Sequence, residues 1–167
     1  MNRLILFRHG KANHDAPSGR DFDRRLAPRG VQDSAAAARH LADLGLAPEL
    51  VLVSASARTR DTWTAVASAL PQARVQFEDD LYHADVPTLR RMICAAGKAP
   101  GAVMVIGHNP GLQDLTVELL VEGGADAGLL ARARAQFPTA AAAVFLIGGD
   151  GRPHYDGIFF PRDRRDD

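Results

Sequence analysis

Two short segments of this 167-residue chain carry the side chains best suited to chemistry. Arg8, His9 and Gly10 directly follow one apolar run, and His108 directly follows another. Because open α/β proteins build their sites at the carboxyl ends of their strands, we expect both histidines at one edge of a sheet. A guanidinium fork and an imidazole together suit the binding of an anion such as phosphate. The pattern therefore predicts one anion-handling site assembled from two strand ends.

Phosphoryl transfer needs a nucleophile in line with the leaving group and positive donors around the other oxygens. His9 offers an imidazole nitrogen that can attack phosphorus, and Arg8 offers paired donors. Arg58 is expected in the first turn of a helix, where a cation interacts unfavourably with the helix dipole. An anion bound between them would offset this cost. A protonated His108 would add a third positive group. Gly10 is expected to let the backbone bend tightly beside the nucleophile.

The composition limits the classes of partner and the compartment. The formal net charge is zero, so nothing global attracts nucleic acid or an anionic membrane surface. No apolar run approaches the roughly 20 residues of a membrane span, and no signal peptide is evident. The single cysteine, Cys94, excludes an internal disulfide and fits a reducing compartment. We therefore expect a cytoplasmic monomer with no nucleic-acid partner and no membrane contact.

Alternating strand and helix patterns predict an α/β fold, a three-layer α/β/α arrangement around a mainly parallel sheet with an antiparallel edge. Strands are expected at residues 4–7, 50–53, 74–77, 102–106, 141–147 and 154–160, and helices at 28–44, 57–70, 87–96 and 110–121. Residues 11–26 form a loop long enough to be functional. We expect one domain over residues 1–161 and a charged, frayed tail over 162–167.

Three motifs resemble the histidine phosphatase superfamily, whose fold is phosphoglycerate-mutase-like. They are residues 6–12, residues 54–58 with Thr62, and residues 105–111. The short chain, its Arg-His-Gly-Lys-Ala sequence and the first-loop segment 21–26 are similar to the SixA-type phosphohistidine phosphatases. The resemblance implies that His9 accepts the phosphoryl group while Arg8, Arg58 and His108 surround it. It also implies a phosphohistidine-bearing protein as substrate, such as a phosphotransfer domain of a signalling relay.

The chain departs from the pattern of larger relatives at the acid that protonates an alcohol leaving group. Those relatives carry Leu-x-Glu after the third strand, whereas this chain has Leu81, Tyr82 and His83. An alkoxide has a conjugate acid of pKa about 16 and needs a donor, whereas imidazole, with a pKa of roughly 6.5, can leave as a neutral base. The missing acid therefore favours phosphohistidine as the substrate. His83 is either a replacement donor or a plain polar loop residue.

Two alternative functions remain open from the sequence. The first is a phosphatase of small phosphomonoesters in the same pocket, with Glu78, Asp80 or His83 as the acid. The second is a noncatalytic phosphate-binding module, against which His9 argues because binding alone needs no nucleophile. The further candidates for substrate binding are Gly10, Arg24, His83 and Asn109. We expect no metal and no cofactor, because Asp79 and Asp80 lack a ligand set with convincing spacing.

Overall fold

Six strands form one mixed sheet in the computed structural model, which describes residues 1–97 and 101–161. The strands are β1 (Arg3–Arg8), β2 (Leu50–Ser54), β3 (Arg74–Glu78), β4 (Ala102–Gly107), β5 (Ala142–Ile147) and β6 (Pro153–Phe159). Their order across the sheet is β3-β2-β4-β1-β5-β6. The pairs among β3, β2, β4 and β1 are parallel, whereas β5 pairs antiparallel with both β1 and β6. The predicted parallel sheet with an antiparallel edge is confirmed.

Helices cover both faces of this sheet. They are α1 (Pro28–Asp43), α2 (Ala57–Val66), α3 (Val86–Ala96), α4 (Gly111–Glu122) and α5 (Ala127–Ala135). Alternate residues of β1 serve the two faces, as the pleat of a strand requires. Leu4 and Leu6 belong to the core under α3, α4 and α5, whereas Ile5 and Phe7 belong to the core under α1 and α2. This confirms the three-layer arrangement.

Local signals account for most helix boundaries. Pro28 occupies the first turn of α1, where its missing N–H group costs nothing. The side chain of Asp85 accepts a hydrogen bond from the backbone N–H of Thr88 and so caps α3. Ser56 precedes α2, but its hydroxyl bonds to the hydroxyl of Thr59 rather than to the backbone at the helix start.

The structure differs from the sequence-based expectations in two places. Helix α5 was not predicted, because its sequence has a glycine at the second position and no clear apolar stripe. Asp126 nevertheless caps the start of α5, because its side chain accepts hydrogen bonds from the N–H groups of Gly128 and Leu129. Helix α2 ends at Val66 and continues as a short 3-10 turn, Ala67–Ala69. The tail expected over 162–167 lies outside the described residues. Within the described ranges no helix is long and apolar enough to cross a membrane.

Candidate active site

The ends of β1 and β4 bring the two strand-end histidines together. Arg8 is paired with Gly107 in the sheet register, and the backbone N–H of His9 donates to the carbonyl oxygen of Gly107 at 3.1 Å. His9 and His108 are the next residues on the two strands, and their ring centroids are 5.2 Å apart. Both side chains are buried. The register of two parallel strands therefore builds the centre of the site.

The tautomer of His9 follows from its contact with the next residue. Nδ1 of His9 lies 2.7 Å from the carbonyl oxygen of Gly10. Because a carbonyl oxygen only accepts, Nδ1 must carry the proton, and the neutral ring keeps its lone pair on Nε2. Burial and the nearby charges of Arg58 and Arg8 outweigh this hydrogen bond and lower the pKa of His9 to about 4. At neutral pH, His9 therefore presents an uncharged nucleophilic nitrogen.

Gly10 fits the site for a reason that the sequence did not give. Its φ lies outside the left-handed region, so conformational freedom is not what requires a glycine here. A Cβ atom at this position would lie 2.4 Å from the carbonyl oxygen of Gly30 and 2.5 Å from Oγ of Ser34. The backbone of Gly10 instead donates to Oγ1 of Thr62 at 3.1 Å. Close packing against the start of α1 thus explains the glycine.

Arg8 is held by the segment between α5 and β5. Nη1 of Arg8 donates to the carbonyl oxygen of Phe137 at 2.8 Å, and Nδ2 of Asn109 donates to the same oxygen at 3.0 Å. The N–H group of Ala140 is shared between the carbonyl oxygens of Arg8 and His9. Nε of Arg8 is buried without a partner among the described residues. Asn109, expected to bind substrate, is thus placed beside Arg8 and orients the Phe137 segment.

Arg58 lies in the first turn of α2, as expected, and is only 3% exposed. Its Nη1 donates to the carbonyl oxygen of Asp21 at 2.8 Å, and its Nη2 to the Asp21 carboxylate at 3.0 Å. Thr62 supports the same residue, since its hydroxyl donates to the carbonyl oxygen of Arg58 at 2.7 Å. Arg60 is exposed on the surface and lies over the ring of Phe77. The first loop and α2 are therefore joined through Arg58.

Asp21 is the residue that the sequence analysis missed as part of the site. Its carboxylate accepts hydrogen bonds from Arg24 at 2.9 Å, from Tyr82 at 2.7 Å and from Nε2 of His83 at 3.2 Å, besides that from Arg58. The Tyr82 hydroxyl and these basic groups hold the pKa of the Asp21 carboxyl far below its usual range. Arg24, a candidate for substrate binding, is placed at the edge of the site through this contact.

The surroundings of His108 disfavour the protonated form that would supply the expected third positive group. Burial, followed by the proximity of His9 and Arg58, which would repel a positive charge, lowers the pKa of His108 far below the ordinary value for histidine. Nε2 of His108 lies 2.8 Å from Oγ of Ser54, the last residue of β2. Nδ1 of His108 is buried and has no partner among the described residues. Neutral His108 can therefore offer a single N–H group to an anion.

His83 lies at the mouth of the site with its side chain 49% exposed. Its ring centroid is 5.2 Å from that of His108, and the ring of Tyr82 packs against both. Of the acidic residues upstream, Asp80 pairs with Arg91 at 3.2 Å instead. Among the described residues, no group of three or more His, Cys, Asp or Glu side chains is arranged to hold a metal ion.

Comparisons with known proteins support the fold. A crystal structure from Agrobacterium tumefaciens, assigned as the phosphohistidine phosphatase SixA, has a TM-score of 0.82 at 32% identity and covers 96% of this chain and 98% of that one. A structure of the protein histidine phosphatase SixA complexed with tungstate has a TM-score of 0.79 at 25% identity, covering 95% and 97%. The phosphoglycerate-mutase-like fold is thereby confirmed.

Comparisons of the amino-acid sequence point to the same family as the solved structures do. An uncharacterized protein of Mycobacterium tuberculosis is 32% identical over 143 residues, covering 85% of this chain and 87% of that protein. The model of the histidine phosphatase superfamily, branch 1, matches residues 4–94, which include Arg8, His9 and Arg58 but end before His108. Because that match spans more than half of a chain whose two strand-end histidines meet beside Arg8 and the buried Arg58, the chain belongs to the histidine phosphatase superfamily and is a phosphatase.

Proposed function

We propose that this phosphatase hydrolyses phosphohistidine on a protein, through a phosphorylated His9 and without a metal ion. One observation carries the choice of substrate. The carboxylate that the fold brings to the site, Asp21, accepts hydrogen bonds from Arg58, Arg24, Tyr82 and His83 and is ionised at neutral pH. An ionised carboxylate cannot protonate a leaving alkoxide. An imidazole leaving group can depart without any proton donor.

The first step forms a bond between Nε2 of His9 and phosphorus as the bond from phosphorus to the substrate imidazole breaks. When the distal nitrogen of that imidazole carries a proton, the departing electron pair leaves a neutral ring. The three oxygens of the transferring phosphoryl group accept hydrogen bonds from Arg8, Arg58 and His108. Nε of Arg8 and Nδ1 of His108, both buried without partners among the described residues, suit this role.

The second step returns the enzyme to its starting state. The oxygen of water bonds to phosphorus, the bond to Nε2 of His9 breaks, and both protons of the water end on the phosphate product, as dihydrogen phosphate. Because the carbonyl oxygen of Gly10 keeps the proton on Nδ1, His9 leaves as a neutral imidazole rather than as an anion. The same hydrogen bond thus serves both attack and departure.

The similar structures agree with this substrate class. Two of them are described as SixA phosphohistidine or protein histidine phosphatases at 25–32% identity. The bound tungstate of one is a tetrahedral oxyanion, as phosphate is. These names support a phosphohistidine-bearing protein as the partner of this chain.

A second candidate is a phosphatase of small phosphomonoesters in which His83 supplies the proton. It is favoured by the place of His83, at the exposed mouth of the site with its ring centroid 5.2 Å from that of His108. A protonated His83 would donate to the alkoxide that leaves an alkyl phosphate. The two candidates differ in the leaving group that they require.

The test measures phosphate release from a phosphohistidine-bearing phosphotransfer protein and from an alkyl phosphate, with a chelator present. His9→Ala is compared with His154→Ala, which removes an exposed histidine of β6. Fast, chelator-resistant release from phosphohistidine that depends on His9 supports the proposal. Preference for the alkyl phosphate moves the function to small metabolites. No release by the folded wild-type protein from either substrate overturns both candidates.

A further inference from the structure

The geometry points to Asp21 as the residue that positions Arg58 for phosphoryl transfer, an inference that rests on the proposed function. Asp21 lies in a 3-10 turn, Asp21–Asp23, within the loop between β1 and α1. Its contacts reach α2 through Arg58 and the β3–α3 connection through Tyr82 and His83. One short side chain therefore joins three segments that border the site.

The contact fixes the guanidinium of Arg58 in two directions. The backbone oxygen of Asp21 accepts a hydrogen bond from Nη1 of Arg58, and the carboxylate accepts one from Nη2. Rotation of the buried guanidinium about its own axis would therefore break a hydrogen bond. A guanidinium has five N–H donors, and this arrangement uses two of them. The others remain available to a phosphoryl group. Asp21 thereby orients Arg58 without consuming its capacity for the anion.

The charges around Asp21 give the contact a second effect. Partial burial, followed by the charge of Arg58, lowers the pKa of Arg8, and Arg8, Arg24 and Arg58 together oppose a positive charge on His9. The carboxylate of Asp21 is the counter-charge in direct contact with Arg58 and Arg24. The same negative charge repels a phosphate anion that approaches Arg58. Orientation and repulsion are thus expected to affect catalysis and anion binding in opposite directions.

This opposition makes the inference testable with one isosteric change. Asp21→Asn keeps the shape but removes the charge and replaces an acceptor by a donor. The control is Asp23→Asn in the same turn, where the carboxylate pairs with Arg20 and Ser18 instead. Each variant and the wild type are assayed with nitrophenyl phosphate and with the phosphohistidine protein, for kcat, KM and the inhibition constant of inorganic phosphate.

We expect Asp21→Asn to lower kcat by about 10- to 100-fold, since misplacement of a positioning group by about 1 Å has effects of that order. The inhibition constant of phosphate should stay the same or fall, because a repelling charge is lost. Asp23→Asn should keep kcat within about twofold of wild type. A kcat for Asp21→Asn equal to that of Asp23→Asn, or a raised phosphate constant with unchanged kcat, overturns the inference.

A companion variant decides the matter if Asp21→Asn does not fold. Asp21→Glu keeps the charge but moves the carboxylate by one methylene, and wild-type kcat in this variant overturns the inference. A loss of about 10-fold with unchanged inhibition by phosphate supports it. Failure of the proposed function would be seen in the wild-type protein instead, which would release phosphate from the alkyl phosphate rather than from phosphohistidine. A folded wild type that releases phosphate from no substrate overturns both.

Discussion

The hydroxyl oxygen of Ser54 lies 2.8 Å from Nε2 of His108, and both side chains are buried. The contact joins the end of β2 to the residue that follows β4. It occupies one ring nitrogen of His108, so only Nδ1 is left for a ligand. A hydroxyl can donate or accept, so Ser54 can leave the ring proton on Nδ1.

We predict that Ser54→Ala lowers kcat about 10-fold and destabilises the protein by about 1–3 kcal/mol, because a buried nitrogen loses its partner. The control is Ser34→Ala, since the hydroxyl of Ser34 is buried without a partner among the described residues. Urea unfolding and steady-state kinetics measure the two effects. Equal loss of stability in both variants would contradict the assigned contact.

Gly10→Ala should destabilise the protein by several kcal/mol, on the order of 3, because its Cβ atom would meet the backbone of Gly30. Gly149→Ala is a suitable comparison, since a Cβ atom there meets nothing within 4 Å. Thermal unfolding measures both. A melting temperature for Gly10→Ala close to that of Gly149→Ala would show that the loop moves aside readily.

Thr62 connects the nucleophile loop to α2, and Thr62→Val should break that link with little change in shape. The variant leaves the N–H group of Gly10 without its acceptor, for an expected loss of about 1–3 kcal/mol. Thr64→Val in the same helix removes a hydroxyl that bonds only to the carbonyl oxygen four residues earlier, at an exposed site. Urea unfolding should show little change in Thr64→Val, and an equal loss there would refute the link.

The pH dependence of His9 follows from its lowered pKa. The unfolded state binds a proton below about pH 6.5, whereas folded His9 does so only near pH 4, so stability falls as pH falls through this window. Protonation of Nε2 also removes the nucleophile. We expect NMR titration of the His9 ring to give a midpoint below pH 5 in the ligand-free enzyme. A midpoint at the ordinary histidine value would contradict the buried, neutral state.

His83→Ala separates the two candidate substrates. Removal of the imidazole should spare phosphohistidine hydrolysis, because that leaving group needs no acid, and should depress turnover of alkyl phosphates by about 100-fold if His83 is their donor. Both rates are measured on the same preparation at neutral pH. Equal losses on the two substrates would remove the distinction and assign His83 a positioning role.

The catalytic candidates could be located from the sequence because their signals are local. An apolar run followed by Arg8 and His9, and another followed by His108, mark strand ends whatever the rest of the chain does. The prolines and glycines that bound helices act in the same way, which is why most elements were predicted. Helix α5 was missed because its helix start depends on Asp126 rather than on an apolar stripe.

The tertiary structure alone decided which distant groups meet these residues and what charge they carry. Asp21 reaches Arg58 across 37 positions of sequence, and the carbonyl oxygen of Phe137 reaches Arg8 across 129. No local pattern encodes such contacts, because they arise when loops pack on the completed sheet. The lowered pKa of His108 has the same origin, since it follows from burial beside His9 and Arg58. Sequence thus determined the residues for chemistry, and packing determined their partners and protonation.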